Sequence, residues 1–278
     1  MAGEFCSIFF FLLSPFCTCR MKRTGLPPPS FREIPTGGGQ PPPGPSPDED
    51  SLRDLLSSHP PVDEGHRIQQ RLAARIIVED RLPRFPPRFI AGADAAYSPD
   101  GSLVFGAVAV LHCPDLSPVE VQCAERKVEF PYIPGMFAFR EGPALLDAWR
   151  RLRTWPDLVI FHGHGIAHPE GCGLASHLGV LLDIPAIGVA GKPLGIASVN
   201  PGPRRGDMAP VSFGGRLAGC AVRTREGARE VYVSPGHRIS LETAVRIVLA
   251  TATRYRLPEP LRAAHRHAVA CRAGLGNE

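Results

Sequence analysis

The order in which strand-like and helix-like stretches succeed one another constrains this chain most. Residues 89–96 (FIAGADAA) and 103–111 (LVFGAVAVL), with Gly101 as a turn between them, read as two strands close to a hairpin. Residues 119–130 give a third strand that alternates in part. An amphipathic helix precedes them at 66–80, where apolar positions recur at helical spacing. The pattern then changes. A helix at 141–152 (EGPALLDAWRRL) leads to a short buried strand at 158–161 (LVIF), a helix at 173–182, a strand at 186–189 and a helix at 242–255. Antiparallel strands followed by β-α-β alternation predict an α/β domain with a mixed sheet flanked by helices, over roughly residues 62–275.

Residues 22–61 cannot join that core. They hold PPPS, TGGG and QPPPGPSP and then an acidic DED, and so much Pro and Gly buries too little apolar surface to fold. A disordered extension over 1–61 is expected, with the folded domain starting near Val62. The apolar run SIFFFLLSPF at 7–16 is shorter than the ~20 residues of a membrane span. As a signal peptide it has Glu4 where a basic region belongs and no A-x-A-like cleavage site. A translation start at Met21-Lys-Arg accounts for it more simply. No other run is long and apolar enough to span, so no membrane partner is expected.

With 278 residues, 44% of them hydrophobic, the chain can build one sizeable core. A net charge of +4 permits nucleic-acid binding without arguing for it, since a dedicated basic patch would be needed. Of the eight cysteines, those after residue 60 are scattered with no CxxC spacing. That argues against a disulfide framework or zinc ribbon and for a reducing, cytoplasmic setting. A monomer is expected.

Several stretches carry chemistry. Asp94 interrupts an otherwise apolar or small-residue strand; it is either an exposed strand residue or a buried carboxylate that needs a partner or a metal. Glu141 opens the 141–152 helix, where the macrodipole alone would favour it. PYIPG, 131–135, is stiffened by two prolines, as a tight loop or as a wedge that enters a base stack. In HGHGIAHP, 162–169, His162 ends a strand, where ligands gather in α/β sheets. Its two glycines let another backbone approach. The spacing matches no zinc signature. His237 in SPGHRIS precedes a helix with Ser240 as N-cap. Two carboxylates and several histidines around one sheet suit hard divalent cations acting on phosphate.

Six stretches in order, EDRLPRFPPRFIAGADAAY, PYIPGMFAFREGPALLDAW, LVIFHGHGIAHP, GLASHLGVLLDIPAIGVAGK, SPGHRISLETA and YRLPEPLR, resemble the endonuclease V family of deoxyinosine-specific repair nucleases. The resemblance covers nearly all of residues 62–275. It implies an RNase H-like fold and Mg²⁺-dependent nicking of DNA at the second phosphodiester bond 3′ to deoxyinosine, leaving 5′-phosphate ends. Other deaminated bases would be substrates too. Asp94 and Glu141 match the family's metal-binding carboxylates, and His237 the histidine that assists there. Pro131, Tyr132, Ile133 and Pro134 match the strand-separating wedge. Gly163, Gly165 and His168 lie in the motif that forms the pocket for the flipped base.

Three positions depart from the family pattern. His162 stands where an aspartate that binds metal is expected, Gly191 where the family has lysine, and His265 where an aspartate is usual. Lys192, one residue late, could reach the same phosphate. The first departure bears on the metal, because Mg²⁺ prefers oxygen ligands whereas imidazole suits Mn²⁺, Zn²⁺ or Fe²⁺. His162 is then a ligand for a softer metal such as Mn²⁺; or Asp94 and Glu141 hold Mg²⁺ weakly; or the chain binds inosine-containing nucleic acid and cleaves poorly. A further alternative is cleavage of inosine-containing RNA. The leading expectation is a deoxyinosine-directed DNA endonuclease.

Overall fold

The computed structural model describes residues 60–274. All but the last two positions of the expected N-terminal extension therefore lie outside the described residues. The elements are, in chain order, α1 (Val62–Ala73), β1 (Phe89–Tyr97), β2 (Leu103–His112), β3 (Pro118–Lys127), α2 (Phe137–Arg150), β4 (Leu158–His162), α3 (Leu174–Leu182), β5 (Ala186–Ala190), β6 (Met208–Phe213), β7 (Arg216–Val222), β8 (Val231–His237), α4 (Leu241–Thr251) and α5 (Glu259–Arg272). The strands form one sheet in the order β3-β2-β1-β4-β5-β8-β7-β6. β4 pairs parallel with β1 and with β5; every other pairing is antiparallel. This is the mixed α/β sheet flanked by helices that the element order predicts.

Alternation along the buried strands divides the core in two. Ala91 and Ala93 of β1, with Val159 and Phe161 of β4, pack under α1, α2 and α3 through Ile68, Leu145, Trp149, Leu178 and Leu181. Ile90 of β1, with Leu158 and Ile160 of β4, faces α4 and α5 through Val245, Val248 and Leu261. Both faces of the parallel pair are thus covered, as its continuous apolar composition requires. Two glycines let helices come unusually close. A Cβ on Gly92 would lie 2.1 Å from the Pro260 carbonyl of α5, and one on Gly106 would lie 2.6 Å from the Ala144 backbone of α2. α5 and α2 thereby press on β1 and β2 from opposite sides.

Some boundaries differ from expectation. The helix expected at 66–80 ends at Ala73. Three successive β-branched residues, Ile76, Ile77 and Val78, disfavour its continuation. The backbone of Ile77 instead accepts from Arg238 N at 2.6 Å and donates to the His237 ring at 3.3 Å. α2 starts at Phe137, so Glu141 lies inside the helix rather than at its N-terminus. β6, β7, β8 and α5 were not foreseen. β6 and β8 contain Pro210 and Pro235, which read as breakers. Pro235 is tolerated because it sits at a register shift opposite Ile187. Ser240 does cap α4, accepting from Thr243 N at 3.1 Å.

Replacing Gly92 by alanine drives a methyl group into the α5 backbone, which cannot turn aside as a side chain can. We expect Gly92→Ala to destabilise the full chain by about 3 kcal/mol, read as a lowered urea midpoint. An unchanged midpoint would mean that α5 does not seat on Gly92.

Candidate active site

In the parallel β1–β4 pair the last partners are Ala93 and Phe161. The next residues, Asp94 and His162, are therefore neighbours just past the paired region, on the face that α5 covers. His162 Nδ1 lies 2.9 Å from Asp94 Oδ1, and His265 Nδ1 of α5 lies 2.8 Å from Asp94 Oδ2. Ala95 N donates to Oδ1 at 2.9 Å. The Asp94 side chain is only 7% exposed. A carboxylate so removed from water costs several kcal/mol unless donors replace its hydration, and here three donors do. The hydrogen bond to Asp94 raises the pKa of His162 above the usual imidazole value, against the opposite pull of burial. Asp94 is thus the buried, partnered carboxylate of the two readings its strand allowed. His265, noted in the sequence only as a departure from a family pattern, belongs to the group; without α5 nothing could place it.

Glu141 approaches from α2. Tyr97 OH donates to its Oε1 at 3.0 Å. Desolvation pushes the Glu141 carboxyl up to about 7, with the charge of Asp94 adding and His162 and Arg140 opposing. A divalent cation would offset the charge of Asp94 that presses on Glu141. Among the described residues, no three His, Cys, Asp or Glu side chains stand together in ligating arrangement. Asp94 instead faces two imidazole Nδ1 atoms. An imidazole that donates Nδ1–H to a carboxylate keeps a lone pair on Nε2, which is how carboxylates orient metal-binding histidines. Carboxylate oxygen and imidazole nitrogen together fit a first-row transition ion better than Mg²⁺.

The PYIPG segment stands at the surface. Tyr132 is 67% exposed, with its ring 5.6 Å from that of Phe137. Pro131 and Pro134 are exposed, and Ile133 tucks against the core. The base of this loop is clamped: the Gly135 carbonyl accepts from Gln69 Nε2 at 2.8 Å and from His168 Nε2 at 2.8 Å. His168 Nδ1 accepts from Glu170 N at 3.1 Å. His168 is therefore buried and engaged with the PYIPG loop, not open to a ligand. Gly165 is a packing requirement, since a Cβ there would lie 1.9 Å from the Pro235 carbonyl; its N donates to Ser234 Oγ at 2.8 Å. Gly163 packs on Leu174. A tight apolar cluster of His164, Ala167, Leu194, Ile196, Phe213 and Tyr232, with no room for a water molecule, backs the 163–168 loop. Burial pushes His164 down to about 4, so it is neutral.

His237 does not join Asp94 and Glu141. It pairs with Ala186 at the start of β5, whereas His162 pairs with Val189, a separation of three residues or about 10 Å along the strand. Its ring accepts from Ile77 N and lies 3.4 Å from Asp183 Oδ1. The sequence placed it in a loop ahead of a helix; β8 carries it to the far end of the sheet. Lys192 is exposed, two residues past the end of β5.

The family model described as Endonuclease V matches residues 70–266. A protein named Endonuclease V from Roseiflexus sp. (strain RS-1) is 51% identical over 202 residues, covering 72% of this chain and 89% of the relative. The crystal structure of Endonuclease V from Streptomyces avermitilis superposes with a TM-score of 0.73 at 38% identity, covering 78% of this chain and 96% of that one. Endonuclease V from Ciona intestinalis, solved with a DNA containing an inosine followed by a ribo-adenosine, has a TM-score of 0.69 at 26% identity, with 77% and 98% covered.

Glu141 binds its proton more tightly in the fold than in the unfolded chain, where 4.5 is the usual value. Below pH 4.5 the carboxyl is neutral in both states and costs nothing. Stability then falls as pH rises to about 7, and the penalty is constant above that. Glu141→Gln, which still accepts from Tyr97, should raise the Tm of the metal-free protein at pH 8, with the gain fading toward pH 5. A gain independent of pH would contradict this account of Glu141.

Proposed function

The chain belongs to the endonuclease V family and is an endonuclease of the deoxyribonuclease V type; from that premise we propose that it nicks DNA beside deoxyinosine, at the second phosphodiester bond on the 3′ side, with a divalent cation. The observation that carries this is the cluster at the β1 and β4 ends, where Asp94 meets His162 and His265 and neighbours Glu141. The inosine-containing DNA bound by the Ciona relative supports the substrate class.

A bound divalent cation would polarise the phosphodiester and lower the pKa of water. Asp94 and Glu141 would supply its charge-bearing donors, with His162 and His265 as imidazole donors once they give up their present hold on the Asp94 oxygens. Tyr97 holds Glu141 in place. Tyr132, braced between Pro131 and Pro134, enters the base stack, and the displaced base is received against the 163–168 loop. His168 locks that loop to the wedge through Gly135. Mn²⁺ is the cation this donor set favours, with Mg²⁺ the weaker activator. A second reading is cleavage of inosine-containing RNA, favoured by the ribo-adenosine after the inosine in the Ciona complex.

The test is nicking of a duplex with a single deoxyinosine, beside the matching RNA. We expect a nick at the second bond 3′ to the lesion, faster in Mn²⁺ than in Mg²⁺ by about tenfold or more, with His162→Asp narrowing that ratio. Binding without cleavage in either metal would replace the nuclease by a binder of inosine-containing nucleic acid. Cleavage confined to RNA would move the substrate.

A further inference from the structure

Arg256 sits in the connection between α4 and α5, and its guanidinium lies over Gly191. A Cβ built on Gly191 would come 3.4 Å from Arg256 Nη2 and 3.9 Å from Nη1 and, among the described residues beyond its chain neighbours, would meet nothing else within 4 Å. Gly191 directly follows β5, whose Val189 pairs with His162. The guanidinium is therefore held beside the strand ends that carry the active-site cluster. Its charge is felt there: Arg256 works against protonation of His162.

The residue is held at two points, the guanidinium by a backbone carbonyl and its own backbone carbonyl by a side-chain hydroxyl. Nη1 donates to the Glu230 carbonyl at 3.1 Å, and the Arg256 carbonyl accepts from Thr224 Oγ1 at 2.6 Å. The nearby Glu230 carboxylate is engaged elsewhere, 3.3 Å from Arg223 Nη1 and accepting from Tyr232 OH at 3.3 Å. Burial depresses the pKa of Arg256, and Arg229 adds to the effect. A half-buried cation anchored through the Glu230 carbonyl, with Nη2 toward Gly191 at the end of β5, is arranged to receive an anion. A guanidinium binds phosphate through two parallel hydrogen bonds, which an ammonium cannot do.

We propose that Arg256 binds the phosphate being cleaved, through the guanidinium edge that the missing side chain at Gly191 leaves open. This rests on the nuclease reading above. It assigns to Arg256 the task that the sequence pattern suggested for Lys192, which points from an exposed position beyond β5. Gly191 matters because a Cβ there would already touch the guanidinium, at 3.4 Å from Nη2, so a longer side chain would extend over its open edge. Its backbone is not in the left-handed region, so a lysine can be installed once the arginine is removed.

The experiment compares full-length wild type with Arg256→Gln, Arg256→Gln/Gly191→Lys and Lys192→Gln. Three quantities are read: single-turnover nicking of the deoxyinosine duplex in Mn²⁺, the salt dependence of affinity for that duplex without divalent cation, and Tm. Arg256→Gln should slow nicking by about 100-fold and reduce the salt slope by about one charge, with Tm near wild type. Gly191→Lys in that background should recover at least about tenfold of the rate, and Lys192→Gln should lose at least about tenfold less than Arg256→Gln. The proposal fails if Arg256→Gln keeps wild-type rate and slope. It fails equally if Tm falls and lysine at 191 rescues nothing, or if Lys192→Gln shows the larger loss. A wild type that binds without nicking would sink the nuclease reading, while the salt slope would still decide for or against Arg256.

Discussion

One buried carboxylate organises this molecule. Asp94 is almost wholly removed from water and has both oxygens engaged, one by His162 and Ala95 N, the other by His265. Without those donors the charge would be too costly at that depth; with them, three separate chain segments converge on a point. β1 brings the carboxylate, β4 the first imidazole and α5 the second. The convergence follows from the parallel register, which ends at Ala93 and Phe161 and makes the next residue of each strand a neighbour of the other.

The scaffold around that point is built from close approaches. Gly92 lets α5 lie directly on β1, which sets His265 at Asp94; Gly106 does the same for α2 on the other face, which sets Glu141 near the strand ends. The 163–168 loop is pinned in the same manner, Gly165 against Pro235 and His168 onto Gly135. Loop, wedge and carboxylates are thereby held by close backbone packing at the glycines and by the Gln69 and His168 side chains that clamp Gly135. Such preorganisation suits a site that must place a phosphodiester and a displaced base together.

Much of this was legible in the residues. The hairpin, the β-α-β run and the stiff PYIPG loop follow from alternation and from proline geometry; Asp94 stands out as a carboxylate in a strand, but alternation alone allows it to be exposed or buried. Three things were not. Pro235 and Gly236 hide β8, so the residues alone leave His237 in a loop; the family resemblance implies a place at the active site, whereas its strand sets it about 10 Å along β5 from His162. α5 was hidden by its polar composition and by Pro260 near its start, so His265 had no position. Arg256 was invisible because its contact with Gly191 spans more than 60 residues and leaves no local pattern. His162 was the informative exception: its substitution for an acidic residue could be read from the sequence, and it points to the metal chemistry of the whole site.

That chemistry can be examined without turnover. Pulsed EPR on the full chain loaded with Mn²⁺ reports nitrogen nuclei bound to the ion. If Asp94, His162 and His265 form the metal site, imidazole nitrogen couplings should be present, and each of His162→Asp and His265→Asp should weaken them. Nitrogen couplings absent from the wild type, or unchanged in both variants, would show that the ion sits elsewhere and that the two imidazoles serve only to neutralise Asp94.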